Sequence, residues 1–118
     1  MARVLLVDDD PDQLEIRTLL VEQAGHHVRV ARNAAEAEAA CQALAPQLLV
    51  MDLRLPRTED GLALIRLVRE TAAGARIIVL TGWPSGLSQS PEAAMVDLLL
   101  SKPVHTRRLL EAIARLAP

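Results

Sequence analysis

The chain has 118 residues, 51% of them apolar, and a formal charge of -2 from 13 Lys and Arg against 15 Asp and Glu. That length suits one domain with no room for a second of comparable size, and the charge offers no positive field strong enough to hold a nucleic-acid backbone. The longest apolar runs are strand-length, well short of the ~20 residues that span a bilayer, and no signal-peptide series opens the chain, so neither a membrane partner nor export is expected.

In chain order, Arg3 to Val7 is an apolar run that stops abruptly at Asp8, Asp9 and Asp10. A helix should follow, with Asp10 as its cap, Pro11 at its first position and Gln13 placed to complete a capping box. Leu14, Thr18 and Val21 mark its inner face, and Gly25 is its natural stop. Val28 and Val30 then alternate with His27, Arg29 and Ala31, the pattern of a strand with one wet face at a sheet edge. Asn33 caps a second helix, with Glu36 three residues on, running from Ala34 to Leu44 and halted before Pro46. Within it the lone cysteine, Cys41, sits in an Ala-rich stretch that reads as packed on a core. It has no partner for an internal disulfide, which suits a reducing cytoplasm. Phe and Tyr are absent and Trp83 is the only aromatic, so that core must be built from Leu, Val, Ile and Ala.

Leu48 to Met51 is continuously apolar and reads as a central strand ending at Asp52. Leu53 to Asp60, with Pro56 and mixed charges, reads as a loop. Leu62, Ile65, Leu67 and Val68 indicate a third helix closing near Gly74. Ile77 to Leu80 is another buried strand, ending at Thr81. From Gly82 to Ser90 the density of Gly, Pro and Ser excludes a long helix, and Ser90-Pro91 can start only a short one, to about Val96. Leu98 to Ser101 is the last strand, with Leu98, Leu99 and Leu100 taken as core on one face. Lys102-Pro103 leads into a final helix from about Thr106 to Leu116, whose Arg107, Arg108 and Arg115 read as a solvated face. His26, His27 and His105 lack metal-ligand spacing and read as surface or turn residues.

Strands that each feed a helix through short crossovers imply an α/β fold with a mainly parallel sheet covered on both faces. Its functional site should lie outside the carboxyl ends of the strands, where strand order reverses. Those ends carry Asp8 and Asp9, Asp52, Thr81 and Lys102. Carboxylates crowded within ~4 Å repel by a few kcal/mol per pair at an effective dielectric near 20, so the site must raise a pKa or hold a cation. Hard oxygen donors favour Mg²⁺, and a lysine and a hydroxyl facing them complete a pocket for a phosphoryl group, with Asp52 as a carboxylate nucleophile.

Val4-Leu5-Leu6-Val7-Asp8-Asp9-Asp10-Pro11, Leu48-Leu49-Val50-Met51-Asp52-Leu53-Arg54-Leu55-Pro56, Ile77-Ile78-Val79-Leu80-Thr81-Gly82 and Leu100-Ser101-Lys102-Pro103 together resemble a receiver domain of a two-component response regulator. The resemblance covers essentially the whole chain, 1–118. It implies a flavodoxin-like, doubly wound five-stranded parallel sheet of order 2-1-3-4-5. It also implies that Asp52 accepts phosphate from a histidine kinase or histidine phosphotransfer protein, to control an effector domain or downstream protein. On the matched positions, Asp9, Asp52 and the Arg54 carbonyl would bind Mg²⁺ directly and Asp8 through water. Thr81 and Lys102 would contact the phosphoryl group, and Lys102-Pro103 would be a cis peptide. The domain would be a phosphoacceptor switch rather than a metabolic enzyme, working in the cytoplasm of a bacterium.

Three features depart from that family. Leu99 stands where an aromatic often sits three residues before the lysine, the helix after Thr81 is rich in breakers, and Pro56-Arg57-Thr58-Glu59-Asp60-Gly61 is one residue longer than the usual turn. They keep open a degenerate receiver acting as a phosphorylation-independent protein-binding or dimerisation module. On either reading Leu99 can extend a docking patch, and a homodimer can form through the last strand and last helix. A phosphatase of the haloacid dehalogenase type would need a second Asp two residues after Asp52, where Arg54 stands. A flavin site would need a Ser, Thr and Gly loop after the first strand.

Overall fold

A computed structural model describes residues 2–117, so the two ends of the expected 1–118 domain, Met1 and Pro118, lie outside the described residues. Alternation of strand and helix is realised as β1 (Arg3–Val7), α1 (Pro11–Gln23), β2 (His27–Ala31), α2 (Ala34–Leu44), β3 (Leu48–Asp52) and α3 (Thr58–Thr71). The chain continues through β4 (Arg76–Thr81), a single turn α4 (Ser85–Ser88), a 3₁₀ turn (Pro91–Met95), β5 (Leu98–Ser101) and α5 (Thr106–Leu116). All neighbouring strands are parallel, in the order β2-β1-β3-β4-β5. The expected doubly wound sheet is therefore present, with β2 on one edge.

Because successive side chains in a strand face opposite sides, the sheet divides two apolar layers. Leu5, Val7, Leu49, Met51, Ile77 and Val79 face α2 and α3, meeting Ala37, Ala40, Cys41, Leu64, Ile65 and Val68. Val4, Leu6, Leu48, Val50, Ile78 and Leu80 face α1 and α5, meeting Leu14, Val21, Leu109, Ala112 and Ile113. Strands buried on both faces explain the unbroken apolar runs. The same alternation corrects one expectation. Leu98 and Leu100 pack on the α1–α5 side while Leu99 packs on the α3 side, so the three leucines do not share a face.

Local signals set the helix ends. Asp10 accepts from the N–H groups of Asp12 and Gln13, and Asn33 accepts from that of Glu36. The Gln13 side chain makes no return bond among the described residues, so the expected box at α1 reduces to a plain cap. Gly25, at φ +96°, follows the end of α1 in the left-handed region where a glycine is favoured. The loop after β3 is shorter than expected, since α3 already starts at Thr58. Asp60 makes this possible by accepting from the Arg57 N–H at 3.1 Å, and its own N–H donates to the Arg57 carbonyl. That helix also ends at Thr71, ahead of Gly74.

After β4, the breaker-rich segment holds one helical turn and then the 3₁₀ turn, as its composition predicts. Two arginines of α3 tether it. Arg66 pairs with buried Glu92 at 2.6 Å, holding that carboxyl below its usual range. Arg69 donates to the carbonyls of Met95 and Ala75 and to Asp97, which in turn accepts the Ile77 N–H.

Candidate functional site at the carboxyl end of the sheet

The carboxyl ends of β1, β3, β4 and β5 converge on a cleft of about 510 Å³ lined by Asp9, Asp52, Arg54, Pro56, Thr81, Gly82, Trp83 and Lys102. Asp8, Asp9 and Asp52 each bring a carboxylate oxygen within 4.8 Å of the other two. Like charges at that spacing repel by about 3 kcal/mol per pair at an effective dielectric of ~20, so the arrangement is relieved by nearby cations or by a raised pKa. The fold supplies two cations. Lys102 Nζ donates to Asp52 Oδ2 at 3.0 Å, from a side chain 34% exposed to one 13% exposed. Arg17, on α1, donates from Nη1 to Asp8 Oδ2 at 2.7 Å.

Asp8 is the buried member, 1% exposed, and its other oxygen accepts the Asp10 N–H at 2.9 Å. Asp9 stands at the solvent side of the cluster and has no basic partner among the described residues. Loss of water on its inner side, then the neighbouring Asp8 charge, with Asp52 adding to it, raise its carboxyl above the ordinary value. Unpaired, crowded and reluctant to ionise, Asp9 is where an added cation would relieve the most repulsion. Three hard oxygen donors at this spacing fit Mg²⁺, with Asp8, Asp9 and Asp52 as the residues that would hold it.

Thr81 is buried at the last position of β4, and its Oγ1 accepts the Trp83 N–H at 3.0 Å, leaving the hydroxyl proton free for an acceptor in the cleft. Its carbonyl accepts the Lys102 N–H at 2.8 Å, tying β4 to the turn that carries the lysine. The Lys102-Pro103 peptide is cis as expected, and Leu55-Pro56 is cis as well. Trp83 is 56% exposed, and its ring lies against Gly86, where a Cβ would come within 2.5 Å of it. Gly61 plays a similar part below Asp52, because a Cβ there would lie 1.7 Å from the Leu53 carbonyl oxygen. The start of α3 is thereby pressed against the residue next to Asp52.

All the residues singled out from the sequence (Asp8, Asp9, Asp52, Thr81 and Lys102) meet at these strand ends, and Arg54 lines the same cleft. Sequence reading passed over Arg17. Its signal was available: it falls three residues after Leu14 and four before Val21, so a cation stood on the inner stripe of α1 and needed an anion to meet. The three histidines stay out of the site. His26 is half-buried, its Nδ1 accepting the Ala2 N–H at 3.1 Å, while His27 and His105 are exposed.

The chain is similar to known proteins in sequence and in fold. The profile described as the response regulator receiver domain matches residues 4–114. The photosynthetic apparatus regulatory protein RegA of Cereibacter sphaeroides is 33% identical over 93% of the chain, which spans 60% of RegA's length. A CheY-like receiver domain protein of Methanospirillum hungatei is 31% identical, with a TM-score of 0.87, over 98% of this chain and 92% of that one. The response regulator TrrA of Thermotoga maritima, solved in complex with Mg²⁺ and BeF, is 26% identical with a TM-score of 0.86, over 98% of this chain and 99% of that one.

Proposed function

Because the chain belongs to the family of response regulator receiver domains, we propose that it is a phosphoacceptor switch in which Asp52 takes a phosphoryl group from a histidine kinase or histidine phosphotransfer protein. The observation that carries this reading is the Lys102–Asp52 pair at 3.0 Å beside the Asp8–Asp9 cluster, a nucleophile with its countercharge already in place. In the transfer, an Asp52 Oδ bonds to phosphorus as the bond from phosphorus to the donor's imidazole nitrogen breaks, and the electron pair leaves with that nitrogen. Bound Mg²⁺ would supply positive charge to the phosphoryl oxygens. Lys102, set on its turn by the Thr81 carbonyl, exchanges its contact with Asp52 for one with the phosphoryl group, and the Thr81 hydroxyl donates to a second oxygen. Arg54 lines the same cleft, and its carbonyl would complete the proposed metal donors.

The new charge of roughly -2 then draws Thr81 and the segment after it toward the site, shifting a balance between two surface conformations that an effector domain or downstream protein reads. The protein assists its own phosphorylation and dephosphorylation without turning over a separate substrate. On this reading it works in a bacterial cytoplasm, with Cys41 as a free buried thiol, and its β5–α5 face is the surface for a homodimer.

The one-turn α4 and Leu99 in place of an aromatic favour a second reading, a binding module that no longer responds to phosphate. Mass spectrometry after incubation with acetyl phosphate and Mg²⁺ separates the two. A gain of about 80 Da, the mass of one phosphoryl group, that disappears in Asp52→Asn supports the switch. No gain in the unaltered protein refutes it in favour of the scaffold.

A further inference from the structure

Asp8 differs from its two neighbours in being satisfied on both oxygens from within the chain. Its side chain is 2% exposed, Oδ1 accepts the Asp10 N–H, and Oδ2 is held by Arg17 at 2.7 Å. The Arg17 side chain is 14% exposed against 34% for Lys102, and Arg17 falls between Leu14 and Val21 on the buried stripe of α1, so it is the more enclosed of the two cations. From this geometry we infer that Arg17 is a resident counter-cation that sets how tightly the acidic cluster holds its divalent ion. This rests on the reading of Asp8, Asp9 and Asp52 as the metal-holding residues. Two cations drawing on one carboxylate share its charge and repel each other, so Arg17 holds the cluster together before the ion arrives and weakens the ion's grip afterwards. Lys102 exchanges partners when phosphate arrives, whereas Arg17 stays and keeps Asp8 aimed at the cluster.

Isothermal titration of Mg²⁺ into the unaltered chain and into Arg17→Gln, Arg17→Met, Arg17→Lys and Asp9→Asn tests this, together with melting temperatures with and without the ion. Loss of the charge in Arg17→Gln and Arg17→Met should tighten Mg²⁺ binding about threefold to tenfold, the effect of one partly screened unit charge on a divalent ion. Arg17→Lys should bind as the unaltered chain does. Both neutral variants should melt lower without Mg²⁺ and gain more from its addition, because the ion then takes over the work of the guanidinium. If the unaltered chain binds Mg²⁺ through Asp9 but the neutral variants bind no more tightly, the inference about Arg17 is overturned and the metal site stands. If neither the unaltered chain nor the neutral variants show Asp9-dependent binding, the metal site falls and takes the inference with it.

Discussion

Gly61→Ala tests how firmly the loop after Asp52 is held. At an ordinary position inside a helix this change stabilises by about 1 kcal/mol, because alanine has the better helix propensity and restricts the unfolded chain. Here the added Cβ would lie 1.7 Å from the Leu53 carbonyl oxygen and 2.7 Å from its carbonyl carbon, both backbone atoms that cannot rotate aside. Contacts closer than 3.0 Å are not tolerated, so either α3 lifts at its first turn or Leu53 retreats and drags Asp52 with it. Overpacking of this kind reverses the sign, to a loss of about 3 kcal/mol, or roughly 12 °C in Tm for a chain of this size. Thermal unfolding followed by far-UV circular dichroism measures it, with Gly74→Ala as the control, since nothing lies within 4 Å of a Cβ there. Mg²⁺ affinity of the folded Gly61→Ala protein should fall as well. A Tm equal to or above that of the unaltered chain would show that α3 is not seated on Leu53, and the account of how Asp52 is positioned would fail.

Arg54 and Trp83 both line the cleft, so on the phosphoacceptor reading their bulk would screen an aspartyl phosphate from water. Arg54→Ala and Trp83→Ala should each shorten the phosphoryl lifetime several-fold in a decay assay, and unchanged lifetimes would remove the screening idea. His26 titrates below its ordinary value of 6.5 because partial burial disfavours the charged ring, and its Nδ1 is already an acceptor for the Ala2 N–H. The unfolded chain therefore binds the proton more readily, so the stability His26 contributes is present above pH 6.5 and drains away as pH falls through that value toward the folded one. Urea midpoints should drop more between pH 7.5 and 5.5 in the unaltered chain than in His26→Gln, a comparison over about two pH units centred on that range. Arg69→Ala removes the donors that hold Met95 and Asp97, and should cost about 3 kcal/mol while raising hydrogen exchange across the 3₁₀ turn ahead of the rest of the molecule.

Much of this architecture could be seen in the chain before any coordinates. Apolar runs ending in Asp8, Asp52 and Thr81 work as signals because a strand buried on both faces confines its polar residues to its ends. What stayed hidden depended on contacts between distant segments. The start of α3 at Thr58 was obscured by Pro56 and the charges around it, and it emerges only through the Asp60 bond back to Arg57. The faces of Leu98 and Leu99 were indistinguishable in a uniform run of leucines, since nothing polar marks the alternation. For Arg17 the spacing from Leu14 and Val21 put a cation on the inner stripe of α1, but its partner could not be read locally, because Asp8 arrives from β1.

With neither Phe nor Tyr in the chain and the lone indole of Trp83 set against Gly86 at the mouth of the cleft, the molecule has an unusual optical division of labour. Ultraviolet emission from the native protein reports the threshold of the cleft and is blind to the aliphatic interior, while amide signals report the strands and helices. Two spectroscopic melting curves recorded on one sample would thus watch different regions. Any gap between their midpoints would measure how independently the segment after Thr81 comes loose from the sheet beneath it.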